Sequence, residues 1–250
     1  MINLDWFYSL EEFFMHTSNY IYHDGKLDLH GFIAYEDKIK KPRPAVIVAH
    51  DWSGRNEFAC QKAQLFAKMG YVGFAVDMFG EGLVATSTDE KQALIEPLIS
   101  DREQLRIRIN AAFDALINRP EVDKNRVAVI GFCFGGLCAL DLARSGADIK
   151  GAISFHGLLG KPENFQVEKI KAKVLVLHGY DDPMVRPEQV NVFCQEMTQA
   201  RVDWQVHMYG NVQHGFTNPQ AQDADSGILY NQLAEQRSWL AMTNFLREIF

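Results

Sequence analysis

The chain has 250 residues and a formal net charge of −7, with 47% hydrophobic and 23% charged residues. This composition is typical of a folded globular protein and excludes a mainly disordered chain. The net negative charge and the lack of a long Lys/Arg run argue against nucleic acid or an anionic membrane as the main partner. The length predicts one α/β domain over residues 1–250, with 1–18 as an N-terminal extension.

Neither a targeting signal nor a disulfide framework is indicated. The start of the chain, MINLDWFYSLEEFFMH, places Asp5, Glu11 and Glu12 where a secretory signal needs an uninterrupted apolar core. No stretch approaches membrane-spanning length. The four cysteines form no CxxC pair, so we expect free thiols in a reducing cytoplasm.

Strand-like and helix-like segments alternate along the chain. A hairpin is predicted over 19–35, because Asp24-Gly25 is a strong turn signal between two β-like runs. Apolar runs typical of buried strands follow at 45–50, 71–77, 127–130, 151–157 and 173–179, with an alternating, more peripheral strand at 202–209. Helices are predicted at 56–68, from 100 to Pro120, directly after Cys133, at 187–200 and at 229–250.

This alternation predicts an α/β fold with a doubly wound, mostly parallel sheet and an antiparallel hairpin at its edge. The segment 80–97 is expected to be mostly loop, with a short helix near 91–95. Ser100 and Glu103 have the spacing of a capping box. Arg102, Arg106 and Arg108 are assigned to the solvated face of the helix that follows.

The stretch 126–140 combines a buried strand, a tight turn and a helix of small residues around one cysteine. Gly131-x-Cys133-x-Gly135 has the spacing of a nucleophile elbow, in which a sharp, strained turn lifts the nucleophile above the end of a strand. Glycines two residues before and after Cys133 leave room for that turn. The alternative is a buried structural cysteine in an ordinary strand-to-helix turn.

A base and an acid are sought at the carboxyl ends of the other strands, where sites form in open parallel sheets. His50, His156 and His178 end strands, and His214 follows the last strand, as the order nucleophile, acid, histidine requires. The acid comes from the loop HGYDDPMV at 178–185, in which either of its two adjacent aspartates could serve.

The residue types define the expected chemistry. A thiol is only partly ionised at neutral pH, so a neighbouring imidazole and a helix N-terminus are needed to favour the thiolate. Water activated by His214 would then release the acyl group. Two backbone N–H groups should bind the oxyanion, one from Phe134 and one from the loop after 45–50, most plausibly that of Trp52.

The chain resembles the dienelactone hydrolase family of the α/β-hydrolase superfamily from the hairpin to the last helix. The residues that carry the resemblance are HDWSG at 50–54, VDMFGEG at 76–82, GFCFGG at 131–136, SFHG at 154–157, HGYDDPMV at 178–185 and HGF at 214–216. The resemblance implies an α/β-hydrolase fold and a triad of Cys133, His214 and Asp182, the aspartate three residues before Val185.

Two positions depart from the pattern of that family. Asp51 stands where the dienelactone enzymes carry a glutamate that contacts the resting thiol, and it is one methylene shorter. The loop after 71–77 carries Glu81 and no arginine for a substrate carboxylate. We therefore expect a neutral ester or lactone as the small-molecule substrate.

These residues predict a carboxylic ester or lactone hydrolase that needs neither a cofactor nor a metal. Two alternatives remain open. The same triad could catalyse acyl transfer or peptide cleavage, or the fold could be a binding or redox-sensing protein in which Cys133 is a reactive thiol. The sequence leaves the oligomeric state undetermined.

Overall fold

The structure is a computed structural model that describes residues 14–38 and 40–250. Of the predicted N-terminal extension 1–18, residues 1–13 lie outside the described residues, and the part from Met15 onward belongs to the first strand. The assignment of the whole chain to one domain stays a prediction.

One eight-stranded sheet organises the described residues, in the strand order β1-β2-β4-β3-β5-β6-β7-β8. Its strands are β1 (Met15–His23), β2 (Asp28–Glu36), β3 (Arg43–Ala49), β4 (Val72–Ala75), β5 (Val122–Phe132), β6 (Gly151–Phe155), β7 (Lys173–Gly179) and β8 (Trp204–Tyr209). The β1–β2 and β2–β4 pairs are antiparallel and all other neighbours are parallel. The predicted α/β fold with an antiparallel hairpin at one edge is confirmed.

Six helices cover the two faces of this sheet in the part of the chain that the structure describes. They are α1 (Glu57–Lys68), α2 (Thr88–Ser100), α3 (Arg102–Ile117), α4 (Phe134–Arg144), α5 (Pro187–Gln199) and α6 (Gln232–Ile249). Phe66 of α1 and Met242 of α6 pack on one face, whereas Ile109 of α3 and Leu137 of α4 pack on the other. The central strands are buried on both faces, which explains their nearly continuous apolar sequences.

The hairpin turn is set by Asp24 and Gly25. Oδ1 of Asp24 accepts hydrogen bonds from the backbone N–H groups of Lys26 and Leu27, both at 2.8 Å. Gly25 has a φ of 96°, a conformation that residues with a side chain rarely adopt. The Asp-Gly signal in the sequence therefore reflects two needs of the turn, a carboxylate that accepts backbone N–H groups and a residue that tolerates a positive φ.

The loop predicted from residue 80 onward ends at residue 87, and the short helix predicted at 91–95 is part of a longer one, because α2 begins at Thr88 and continues to Ser100. The capping box belongs to Ser87 and Glu90, not to Ser100 and Glu103. Glu90 also accepts a hydrogen bond from the N–H of Thr86 at 2.9 Å, so it starts a helix in a segment that reads as polar loop.

The assignment of Arg102 and Arg108 to a solvated face is also wrong. Arg102 is buried and pairs with the fully buried Asp141. Arg108 pairs with Asp24 and donates to the carbonyl of Met78 at 2.7 Å. Both side chains therefore connect α3 to neighbouring elements instead of facing water.

The last helix begins later than predicted. Asn231 caps it by accepting a hydrogen bond from the N–H of Ala234 at 3.0 Å. The segment before it contains a small hairpin formed by β9 (Gln222–Asp223) and β10 (Ile228–Leu229).

Candidate active site

Cys133 occupies a strained turn between β5 and α4. Its φ of 54° and ψ of −118° lie outside the regions that L-residues prefer, at a cost of about 1–3 kcal/mol. A Cβ added at Gly131 would collide with the backbone of Gly135, and one added at Gly135 would collide with the carbonyls of Ala49 and His50. The glycines therefore allow strand, turn and helix to approach closely.

Cys133 is half-buried at the N-terminus of α4. Its backbone N–H donates to the carbonyl of Phe155 at 3.0 Å, which ties the turn to the end of β6. The N-terminal end of a helix carries a partial positive charge that favours an anion such as a thiolate.

Asp182 and His214 form a buried hydrogen-bonded pair. Nδ1 of His214 lies 2.8 Å from Oδ2 of Asp182, and the two side chains are 3% and 0% exposed. The other carboxylate oxygen, Oδ1, accepts from the backbone N–H groups of Met184 at 2.8 Å and Val185 at 3.3 Å. Oδ1 of Asp182 thus stabilises the backbone of the loop 178–185, while Oδ2 holds the imidazole of His214.

The imidazole of His214 also interacts with Cys133. Burial lowers its pKa, but the charge of Cys133 and the hydrogen bond to Asp182 outweigh burial and raise the pKa from 6.5 to about 10. Nε2 of His214 is buried and makes no hydrogen bond of regular geometry with a described residue, although the Cys133 sulfur is near enough to affect this pKa. The arrangement therefore favours the protonated form of His214.

The loop after β3, which contains Trp52, lies beside the elbow. Ala49, at the end of β3, is in register with Gly131 of β5. His50 fixes the start of the loop, because its Nδ1 donates to the carbonyl of Asp51 and its Nε2 accepts from the N–H of Met78 at 3.1 Å. No described residue accepts a hydrogen bond from the N–H of Trp52 or Phe134, so both donors are available to an oxyanion.

Asp51 is engaged in a turn. Its Oδ1 accepts from the N–H of Ser53 at 2.8 Å, and no hydrogen bond joins its carboxylate to Cys133 among the described residues. Asp51 thus has the geometry of an aspartate that stabilises a turn ahead of a helix, and its contact with the thiol stays a prediction.

Glu81 is exposed in the loop after β4 and has a φ of 54°. Its backbone N–H donates to the carbonyl of Asp28 at 2.8 Å. The shape of this loop is set by the buried carboxylate of Asp77, which accepts four backbone N–H groups at 2.8–3.0 Å, from His30, Phe79, Gly80 and Gly82. No hydrogen bond or ion pair connects Glu81 to Cys133 within the described part of the chain.

Sequence reasoning missed Lys91. Its ammonium group lies 5.1 Å from the centroid of the Trp52 ring, a cation–π contact. Val84, in the loop before α2, forms an isolated β-bridge with Gly54. The loop after β4 and the first turn of α2 are therefore attached to the loop that carries Trp52.

His156 and His178 are buried next to the Asp182–His214 pair. Nε2 of His178 donates to the carbonyl of Val185 at 2.8 Å, which supports the acid loop. The ring centroid of His156 lies 5.0 Å from that of His214 at an interplanar angle of 68°. Two signals in the sequence pointed to them: their position at the ends of β6 and β7, and their place in the SFHG and HGYDDPMV stretches.

Among residues 14–38 and 40–250, no group of three His, Cys, Asp or Glu side chains could hold a metal ion. All four cysteines there are free thiols. Nor does that part of the chain contain a helix long and apolar enough to cross a membrane.

Comparison with known proteins connects this site to one family. The sequence profile of the dienelactone hydrolase family matches residues 29–250. An uncharacterised protein of Caenorhabditis elegans is 40% identical over 157 residues, which cover 61% of this chain and 99% of that protein. A probable 2-oxo-3-(5-oxofuran-2-ylidene)propanoate lactonase of Bradyrhizobium sp. is 29% identical and covers 82% of this chain and 83% of its own.

A solved structure connects the chain to the same family. The crystal structure of a dienelactone hydrolase-like promiscuous phosphotriesterase, P91, from metagenomic libraries superposes with a TM-score of 0.90. It is 38% identical, and the match covers 94% of this chain and 99% of that one. The chain and that enzyme therefore share the same fold over almost their entire length.

Proposed function

Since the chain belongs to the dienelactone hydrolase family and is a hydrolase of carboxylic esters or lactones, we propose that it works through a thioester on Cys133. The hydrogen bond of 2.8 Å between His214 and Asp182, buried beside the Cys133 turn, is the observation that carries the proposal. A carboxylate in this position holds the histidine in one tautomer and offsets the charge that develops on it.

In the first half of the proposed reaction, the Cys133 thiolate attacks the carbonyl carbon and a C–S bond forms. The backbone N–H groups of Phe134 and Trp52 bind the oxyanion. The intermediate collapses when the C–O bond to the alcohol breaks, and the imidazolium of His214 gives its proton to the departing alkoxide. With a lactone, the alcohol remains attached to the acyl chain.

In the second half, water attacks the thioester. His214, now neutral, takes a proton from that water, and the C–S bond breaks to release the acid and restore the thiolate. Asp182 stabilises the imidazolium that forms in this step.

We propose a neutral ester or lactone as the substrate. The loop after β4 carries the exposed Glu81, and the helix after it carries Lys91, whose ammonium group contacts the Trp52 ring, so positive charge is not in excess to select an anion. Leu83 and Val84, each 47% exposed, add apolar surface to the same loop. A neutral substrate with an apolar group suits this combination.

The test is hydrolysis of small activated esters and lactones by the wild type, by Cys133→Ala and by Cys194→Ala. Cys194 is a free thiol on α5, away from the elbow, and serves as the control. We expect Cys133→Ala alone to lose hydrolysis, and mass spectrometry of the wild type with a slowly released ester to find the acyl group on Cys133. Full activity of Cys133→Ala would exclude this mechanism.

Phosphotriester hydrolysis is a second candidate activity. It is favoured by the 38% identity to the promiscuous phosphotriesterase over 94% of this chain. The same thiolate and the same N–H donors suit a neutral tetrahedral phosphoryl group. Release of nitrophenol from a diethyl nitrophenyl phosphate, with Cys133→Ala as the control, tests it.

The described cysteines also bear on localisation. All four are free thiols, and one of them is the proposed nucleophile. We therefore propose that the protein works in a reducing compartment such as the cytoplasm.

A further inference from the structure

His156 is a strained, buried residue that the proposed chemistry does not use. It follows β6, is 3% exposed and has a φ of 39°. Its backbone N–H donates to the carbonyl of Leu177 at 2.9 Å. A side chain in this backbone conformation persists only where its surroundings hold it, and such residues concentrate at functional sites.

Two contacts hold the ring of His156. Its Nε2 lies 2.8 Å from Oγ1 of Thr217, which is 2% exposed and belongs to the same loop as His214. The ring also packs against Phe216, with centroids 5.1 Å apart and an interplanar angle of 75°. The ring of His156 is thus fixed both by a hydrogen bond and by packing.

The ring of His156 in turn contacts that of His214, with centroids 5.0 Å apart and planes 68° apart. The hydrogen bond to Asp182 fixes His214 at Nδ1 only, and one such bond leaves the imidazole free to rock about the line between donor and acceptor. A second contact is needed to define the plane of the ring, and therefore the direction of Nε2.

His156 does not compete with His214 for the proton. Burial, and next the charges of His214 and His178, keep the pKa of His156 well below its usual value. An uncharged ring is the kind of neighbour that can touch an imidazolium without repelling it.

We propose that His156 is a positioning residue for the hydrolytic reaction: its ring sets the plane of the His214 imidazole, and the hydrogen bond to Thr217 holds that ring in place. This inference rests on the proposed role of His214 as the base. In this proposal the SFHG stretch at the end of β6 affects the reaction by orienting His214, and it does not contact the substrate.

The experiment compares His156→Ala, His156→Phe and Thr217→Val with the wild type and with His16→Ala. His16 is a matched control, because it too stacks on an aromatic ring, that of Tyr35 at 4.6 Å, but on the edge strand β1. Three quantities are measured: kcat and KM for a small neutral ester, the thermal unfolding midpoint, and the NMR signal of the Nδ1 proton of His214.

We expect His156→Ala to lower kcat about tenfold or more, with KM within about twofold, because a misplaced catalytic group slows the chemical step. The Nδ1 proton signal should broaden or shift. His156→Phe keeps the ring contact and should recover most of kcat, Thr217→Val should lie between these two, and His16→Ala should match the wild type. If the role of His156 were merely structural, His156→Ala would lower the unfolding midpoint but would not lower kcat while leaving KM almost unchanged.

A wild-type kcat and an unchanged Nδ1 signal in His156→Ala would overturn the inference. If that variant does not fold, the same result in Thr217→Val would overturn it, as would a folded His156→Phe no more active than His156→Ala. Wild-type protein that hydrolyses no ester would instead contradict the proposed function. The Nδ1 signals of the variants then still decide whether His156 orients His214.

Discussion

Arg102 and Asp141 are joined by two hydrogen bonds of 2.6 Å, from Nε to Oδ2 and from Nη2 to Oδ1, which bind α3 to the helix that starts after Cys133. Asp141 also accepts from Nη1 of Arg144 at 3.3 Å, and Arg144 reaches Glu196 of α5 at 2.7 Å. The helix that carries the elbow is therefore fixed to two neighbouring helices by buried charges.

Removing the charge of Asp141 should destabilise the protein strongly. Asp141→Asn leaves two buried guanidinium groups without their shared carboxylate, and breaking a buried pair costs about 3–5 kcal/mol in the free energy of unfolding. Urea unfolding measures this loss. The control Asp123→Asn removes the partly exposed partner of Arg126 and should leave the unfolding curve almost unchanged; an equal effect of both variants would contradict the assigned role of Asp141.

A methyl group at Gly135 should disrupt the elbow. It would collide with the backbone carbonyls of Ala49 and His50, and backbone cannot move aside as a flexible side chain can. We expect Gly135→Ala to lose most esterase activity and to unfold at a lower temperature. Gly210→Ala, which meets nothing within 4 Å, is the matched control and should behave as the wild type.

The protonation of His214 should depend on Cys133. Of the contributions that raise the pKa of His214 to about 10, the charge of Cys133 is the largest. Cys133→Ser should therefore lower that pKa, as measured by an NMR titration of the imidazole. Cys194→Ser should leave it unchanged, and an equally high pKa in Cys133→Ser would show that Asp182 alone is responsible.

The same pKa predicts how stability depends on pH. Because the folded-state pKa of His214 lies above the unfolded value of 6.5, folding favours the protonated form. This contribution is complete below pH 6.5 and is lost as the pH rises towards about 10. Urea unfolding at several pH values should show a smaller loss over this window for Cys133→Ser than for the wild type.

Reversing the charge at residue 81 should change substrate preference. Glu81→Arg places a cation in the exposed loop beside Leu83 and Val84, so kcat/KM for esters with a carboxylate should rise relative to neutral ones. Glu57→Arg, on the exposed start of α1, tests whether a change of overall charge is sufficient. Wild-type preference for the anionic series would contradict the proposed pocket.

The main strands and the tight turn at Cys133 could be predicted from the sequence because both depend on local patterns. Buried strands such as 45–50 and 173–179 are continuous apolar runs, and the elbow requires small residues at fixed spacing. His214 and the loop 178–185 could be singled out because parallel strands bring their carboxyl ends to one side of the sheet, whereas the choice of Asp182 within that loop came from the family resemblance.

The environment of the arginines could not be predicted in this way. The local sequence around Arg102 gives it a helix but does not show that Asp141, distant in the chain, lies beside it. The length of α2 was underestimated because Ser87 and Glu90 start it within a segment rich in polar residues. Lys91 and His156 were missed as site residues because their importance comes from neighbours in space, Trp52 and His214.

The carboxylate of Asp77 has a consequence for how new specificities could arise. It holds the loop after β4 through backbone N–H groups. The side chains of Glu81, Leu83 and Val84 therefore contribute little to the stability of the loop. Random libraries at these three positions should therefore yield mostly folded proteins with different substrate ranges. The loop after β4 could therefore diversify without any change to the Cys133 turn or to the Asp182–His214 pair, which is an advantage to directed evolution and to natural descent alike.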